Sequence, residues 1–256
     1  MAVTRTMAAL AFALLTGCGD SSFSFGTHPD IIWWTDHETG DLSDWTGSVP
    51  PGGFILPGSS RVEVVKGLAR SGEYALLVQD NSPDARDYPL AARNGPLPTE
   101  VYCSAWYYLP EPLRPKSYWW FVLFRSRHAP YDTGSFRDEV NVSFTTRPDG
   151  SVGTRLSSPD LGESVPPVLD LPVPIARWFQ IEVFHRTGTD DTGEVDVWQD
   201  GQLTFHVTGR NSETTFAEWM VGGVVDSLTT GASQLYIDDA AISKRRLGPV
   251  PPFARE

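Results

Sequence analysis

Cysteine is nearly absent from this chain. Of the two present, Cys18 sits at the end of a leader-like segment, which leaves Cys103 without a partner for an intramolecular disulfide. Cys103 falls within an apolar strand-like run and reads as a small core residue. Basic charge is also scarce: 20 Lys and Arg face 32 Asp and Glu, a formal charge of −12, and no basic run exceeds Lys244-Arg245-Arg246. That balance argues against a nucleic-acid partner, because neutralising phosphates needs a basic surface. A helical period is missing too, since no segment sustains one over three turns. After residue 18 no apolar run is long enough to span a bilayer.

What is present begins with Arg5 and the apolar run Met7 to Leu15, a positive n-region and an h-region too short for a membrane-spanning helix. Leu15-Thr16-Gly17-Cys18 then resembles the lipobox of bacterial lipoproteins. The resemblance implies a signal peptide over residues 1–17, acylation of Cys18 and a lipid-anchored envelope protein with the membrane as a partner. Gly19, with Asp20 one place later, implies outer-membrane rather than inner-membrane residence where a Gram-negative sorting pathway operates. Residues 18–30 read as a polar tether carrying Gly and Pro.

From Ile31 onward the sequence reads as all-β. Runs rich in β-branched and aromatic residues are separated by clusters drawn from 21 Pro and 23 Gly together with Asp and Asn. Strands are expected over Arg61 to Lys66, Tyr74 to Gln79, Glu100 to Leu109, Tyr118 to Ser126, Glu139 to Thr146 and Trp178 to Arg186. Others are expected over Glu194 to Gln199, Gln202 to Val207, Ala217 to Val225 and Gln234 to Ser243. Pro148-Asp149-Gly150 and Asp200-Gly201 mark hairpins, the latter with the residue pair of a type I′ turn. One domain is expected over residues 31–246, with a C-terminal extension over 247–256 that loosens after Pro249.

Alternation assigns the faces, since successive strand side chains point to opposite sides. Val101, Cys103 and Ala105 oppose Tyr102, Trp106 and Tyr108. Val140, Val142 and Phe144 oppose Asn141 and Ser143. Ile181, Val183 and His185 oppose Gln180 and Glu182, and Val195 and Val197 oppose Asp196 and Trp198. Each strand thus has a core side and a side mixing rings with amides and carboxylates. Two antiparallel sheets packed on their apolar sides account for the pattern. A face holding Tyr102, Trp106, Tyr108, Asn141, Gln180, Glu182, Asp196 and Trp198 suits sugar, whose C–H faces stack on rings and whose hydroxyls need paired donors and acceptors. The same residues would also serve as cross-strand pairs on a solvated sheet.

Asp36-His37-Glu38-Thr39-Gly40-Asp41-Leu42-Ser43-Asp44-Trp45 resembles the opening of concanavalin A-like jelly rolls, a class that includes carbohydrate-binding modules and polysaccharide lyases related to heparin lyase and glucuronan lyase. Ser71-Gly72-Glu73-Tyr74-Ala75-Leu76, Tyr107-Tyr108-Leu109-Pro110 and Leu235-Tyr236-Ile237-Asp238-Asp239 resemble later strands of the same class, in order. The resemblance implies a two-sheet jelly-roll sandwich and a polysaccharide or oligosaccharide partner. It also implies a structural Ca²⁺ held by Glu38, backbone carbonyls near Gly40 and Gly72, and Asp238 or Asp239, a donor set suited to that ion.

Three activities follow from the resemblance. The first is polysaccharide binding without cleavage. The second is β-elimination on a uronate polymer, for which Arg125 would neutralise the carboxylate while His128 and Tyr131 supply base and acid. The lyases' Gln is missing from Val122 to His128, and their Lys and Tyr are missing from Glu218 to Val224. The third is glycoside hydrolysis, with Glu139, Glu182 and Asp196 as candidate carboxyls, although Glu194 to Gln199 lacks the second Glu of the usual strand motif. A protein-interaction lipoprotein using the aromatic face is the reading outside carbohydrate chemistry. Lipidation is directly checked by mass spectrometry of the envelope-extracted chain. A mature N-terminus at an acylated Cys18 is expected, and an unmodified N-terminus beyond Cys18 would remove the anchor.

Overall fold

The structure is a computed structural model that describes residues 29–47, 52–57, 59–81, 87–113, 115–127, 139–158, 161–212, 216–223, 225–228 and 233–249. Cys18, His128 and Tyr131 lie outside these residues. The elements are β1 (Ile31–Thr35), α1 (Ser43–Thr46), β2 (Gly52–Leu56), β3 (Arg61–Lys66), β4 (Tyr74–Asp80), β5 (Leu90–Leu97), β6 (Glu100–Tyr108), β7 (Pro115–Arg127) and β8 (Val140–Thr146). They continue with β9 (Val152–Ser158), β10 (Gly162–Val165), β11 (Trp178–Arg186), β12 (Gly193–Gln199), β13 (Gln202–Arg210), β14 (Phe216–Gly222), β15 (Val225–Leu228) and β16 (Ser233–Ser243).

Two antiparallel sheets result, as the alternation predicts. Sheet A runs β13-β12-β11-β6-β16-β4-β3, with β1 also on β16. Sheet B runs β10-β9-β8-β7-β14-β5-β2, with β15 also on β7. β3 and β11 form over the residues read from the sequence, and both marked hairpins close. Asp200 and Gly201 have φ of 49° and 79°, as a type I′ turn requires. The expected strand Ala217 to Val225 instead ends at Gly222, whose φ is 71° and whose added Cβ would lie 2.8 Å from the Pro89 carbonyl oxygen. β2 and β5 are among the additions, their strand pattern interrupted by Gly52-Gly53 and by Asn94-Gly95-Pro96. Gly53 has no alternative, because a Cβ there would fall 2.1 Å from the Trp45 carbonyl oxygen and 2.3 Å from that of Ala92.

The inner faces of both sheets form one core, including Val101, Cys103, Ala105, Phe179, Ile181, Val195 and Val197 from sheet A with Phe121, Phe124, Val142, Phe144 and Trp219 from sheet B. Near one end Trp45 lies 4.7 Å from Trp33 and 5.9 Å from Trp219, ring centre to ring centre. Arg93 is only 2% exposed beside them. Its Nη1 donates to the carbonyls of Asp44 (3.0 Å) and Trp45 (2.8 Å), and its guanidinium lies 5.0 Å from the centre of the Trp33 ring. Burial lowers its pKa to about 10. The cation remains tolerable there because carbonyl dipoles and a ring face replace its water.

A register shift between Val122 and Phe124 marks a bulge in β7. Leu123 and Phe124, at 0% and 2% exposed, consequently both belong to the core. Alternation then resumes with Arg125 on the outer face, opposite Asn141 of β8 and Met220 of β14.

Residues 247–249, the start of the expected C-terminal extension, lie on sheet A as a strap. Glu182 of β11 is 0% exposed and accepts the N–H groups of Leu247 (2.6 Å) and Gly248 (3.2 Å) and the Arg246 Nε–H (3.2 Å). Gln180 Nε2 donates to the Gly248 carbonyl at 2.6 Å, and the Arg246 guanidinium lies 4.4 Å from the centre of the Trp198 ring. Burial raises the pKa of Glu182, while its N–H and guanidinium donors pull it down.

Trp219→Ala should lower stability by about 3–5 kcal/mol in urea unfolding, the usual cost of deleting a buried large ring. Arg246→Ala should accelerate amide exchange at Leu247 and Gly248 by roughly tenfold or more, since hydrogen bonds to charged groups contribute about 1.5–3 kcal/mol before solvent screening. Exchange in β6, whose amides do not contact the strap, should stay unchanged.

Candidate functional site

The outer face of sheet B gathers a chain of charged and amide groups. Arg125 Nε donates to Asn141 Oδ1 at 2.7 Å, and Asn141 Nδ2 donates to Glu139 Oε1 at 2.7 Å. The same Glu139 oxygen lies 3.5 Å from Arg125 Nε. These neighbours orient the amide, because a guanidinium can only donate and an ionised carboxylate can only accept. Arg125, Asn141 and Glu139 are all buried, as are Ser143 and Ser157 on the same polar half of the face. Across β14 the face turns apolar: Leu90, Ala92 and Met220 form a small cluster with Phe54, Leu56 and Tyr88. Glu218, also fully buried, stands on β14 opposite Arg127. Chemically, this is a fixed guanidinium between amide and carboxylate, bordered by an apolar strip. A guanidinium fork matches a carboxylate or a row of hydroxyls.

The eight residues expected to share one sugar-binding face do not all share it. Asn141 belongs to β8 and sheet B, whereas Tyr102, Trp106, Tyr108, Gln180, Glu182, Asp196 and Trp198 lie on the outer face of sheet A. Alternation assigns a face to each strand, but sheet membership depends on pairing between distant strands. The seven on sheet A are brought together. Tyr102 lies 4.8 Å from Phe184 and 6.3 Å from Trp198, and Tyr108 lies 5.5 Å from Trp178. Burial and the charges of Glu182 and Asp196 raise the pKa of the Tyr102 hydroxyl. Two of the rings already carry a guanidinium, Arg70 over Trp106 at 3.7 Å and Arg246 over Trp198. Glu182 and Gln180 are taken by the strap. Glu139 directly precedes β8 of sheet B whereas Glu182 and Asp196 lie in sheet A, so these three carboxyls do not line a single groove.

At the edge of sheet A, His206 Nδ1 lies 2.5 Å from Asp196 Oδ1 and 3.9 Å from Glu194 Oε1. These three groups could converge on a metal. Arg186 already pairs with Glu194 at 2.5 Å, and the Asp196 hydrogen bond raises the pKa of His206, so the cluster is an exposed ion-pair network as it stands. His185 is buried on the core side, as alternation predicts.

The residues implied for calcium meet where β1 and β4 divide one edge of β16. β4 pairs with Ser233 to Ile237 and β1 with Ala240 to Ser243, leaving Asp238 and Asp239 between them. Asp239 takes a φ of 45°. Burial and the charge of Asp238 raise its pKa to about 6, against the pull of Arg70. Arg70, His37 and Trp45 complete this cluster and were not singled out from the sequence. His37 and Trp45 stand within the opening motif and Arg70 just before Ser71-Gly72, so proximity to the motifs was the available signal.

No protein-family model matches the chain, and no curated protein matches it. Among solved structures it is similar to the endo-β-1,4-glucuronan lyase of the fungus Trichoderma reesei, at 14% identity and a TM-score of 0.63, over 88% of this chain and all of that one. It is similar to the cellulose-induced protein Cip1 at 17% identity and a TM-score of 0.56, over 84% of this chain and 98% of that one. A marine alginate lyase from Aplysia kurodai matches at 10% identity and a TM-score of 0.55, over 83% of this chain and 98% of that one. At these identities the likeness concerns the fold, and the chain has the two-sheet jelly-roll sandwich of these proteins.

Proposed function

We propose that this chain binds a uronate-containing polysaccharide on the outer face of sheet B, held at the cell envelope by a lipid on Cys18. The observation that carries the reading is Arg125, oriented by Asn141 and Glu139 at the middle of that sheet. A uronate presents a carboxylate for the guanidinium and hydroxyls for the neighbouring amides and hydroxyls. Phe54, Leu56 and Tyr88, partly exposed over the buried Met220, offer an apolar surface for the C–H side of a sugar ring. The outer face of sheet A is less suited to a first site, because Glu182 is taken by residues 246–248 and two of its rings, Trp106 and Trp198, are covered by Arg70 and Arg246.

A second reading, elimination on the same polymer, is favoured by the glucuronan and alginate lyases among the structural neighbours. Arg125 would neutralise the uronate carboxylate and so acidify the C5 proton. A base takes that proton, the C4–O bond breaks, a C4–C5 double bond forms, and an acid protonates the leaving oxygen. His128 and Tyr131 remain the residues proposed for base and acid.

The test is a titration of the mature domain against glucuronan, alginate and a neutral glucan, with near-ultraviolet absorbance followed in parallel for the unsaturated product. Binding to a uronate polymer is expected, weakened roughly tenfold or more by Arg125→Ala, in keeping with a charge-assisted hydrogen bond. The melting temperature of the variant controls for folding. Absence of binding to every uronate would overturn the proposal. Binding unaffected by Arg125→Ala would remove Arg125 from the site. Rising absorbance that is lost in His128→Ala would establish elimination through that residue.

A further inference from the structure

The opening and closing motifs imply a calcium ion between Glu38, Gly40, Gly72 and Asp238 or Asp239, but the residues present do not fit one. Asp238 is 0% exposed, and each of its oxygens is already engaged. Oδ2 accepts the N–H groups of Arg70 (2.8 Å) and Ser71 (3.2 Å), and Oδ1 accepts the N–H of Asp239 (2.8 Å) and faces His37 Nδ1 at 3.3 Å. The histidine nitrogen is a donor. Trp45 Nε1–H, which can only donate, points at His37 Nε2 over 3.0 Å, so Nε2 carries the lone pair and the proton of the neutral ring sits on Nδ1. A carboxylate has about four acceptor positions, and Asp238 has four donors.

The neighbouring carboxylates are engaged in the same way. Asp239 accepts the Ser71 hydroxyl at 2.8 Å and pairs with the Arg70 guanidinium. Glu38 Oε1 accepts the N–H groups of Glu73 and Tyr74, each at 2.8 Å. Calcium needs six to eight oxygen lone pairs at about 2.3–2.6 Å. Here both oxygens of Asp238, the Asp239 carboxylate and Glu38 Oε1 face hydrogens, and a fixed cation already stands beside the aspartates. The Arg70 side chain is 5% exposed, roofed by the Trp106 ring at 3.7 Å, so it is held in place on both sides.

We propose that Arg70 is the built-in counterpart of the calcium ion, and that this domain closes its first strand against its last without any metal. Its guanidinium neutralises Asp239 while its own backbone N–H secures Asp238. One residue therefore ties the segment before β4 to the centre of β16. Trp45 and His37 secure the opening segment to the same carboxylate.

The test uses the full chain and reads metal content and melting temperature. Elemental analysis of protein purified without chelator should find far less than one calcium per chain. The melting temperature should be the same in chelator and in millimolar calcium, whereas a calcium-loaded site would add stability as the ion saturates it. Arg70→Met should melt roughly 5–15 °C lower, the range expected for breaking a buried ion pair in a domain of this size. It should also become calcium-sensitive, because two adjacent carboxylates are left without their cation. Should Arg70→Met not fold, Arg70→Lys, which keeps the charge, provides the graded comparison and should remain insensitive to chelator. Stoichiometric calcium in the wild-type chain, or a melting temperature that falls in chelator and recovers with calcium, would overturn the proposal.

Discussion

Asp238 is a carboxylate removed from water, and the architecture around β16 depends on how its charge is satisfied. An isolated buried carboxylate would be prohibitively costly, and four converging donors make this one tolerable. Those donors come from three parts of the chain: the opening segment at His37, the turn at Arg70 and Ser71, and β16 itself. Meeting at one residue, they fix β1 and β4 along the same edge of β16 and set the register of sheet A. The Trp33, Trp45 and Trp219 cluster then extends that closure across the core into sheet B, where Trp219 lies on the strand beside Arg125.

Guanidinium groups recur at the points where this acidic chain must bury or cover polar surface. Arg93 is dissolved among backbone carbonyls and the Trp33 face, Arg70 pairs with Asp239 under Trp106, and Arg246 lies between Glu182 and Trp198. Each satisfies both an acceptor and an aromatic face, which a lysine ammonium does less well. Arg125 differs in its setting, on an outer sheet face in a row with the Asn141 amide and the Glu139 carboxylate. That contrast separates a candidate recognition group from the guanidiniums that hold the fold together.

The two outer faces consequently differ in their chemistry. Sheet A concentrates the rings, and its own chain covers them, so an aromatic face that reads as a sugar platform is partly consumed by internal contacts. Sheet B places Arg125, Asn141 and Glu139 in one hydrogen-bonded row. Its orientation depends on a bulge in β7, since uninterrupted alternation from Val122 through Leu123 and Phe124 would turn Arg125 toward the core.

Local chemistry made the strand content, both hairpins and the core side of each strand legible in the sequence, because period-2 alternation and turn residues act over a few neighbours. The order of the opening and closing motifs likewise made the jelly roll legible. Strands β2 and β5 were hidden because their glycines and proline resemble turn residues, whereas Gly53 serves close approach to the Trp45 and Ala92 carbonyls. The separation of Asn141 from the other seven residues, the strap on Glu182 and the meeting of Arg70 with Asp239 were decided only by the tertiary structure. Each is a contact between residues tens to hundreds of positions apart, for which no local pattern of residues carries the information.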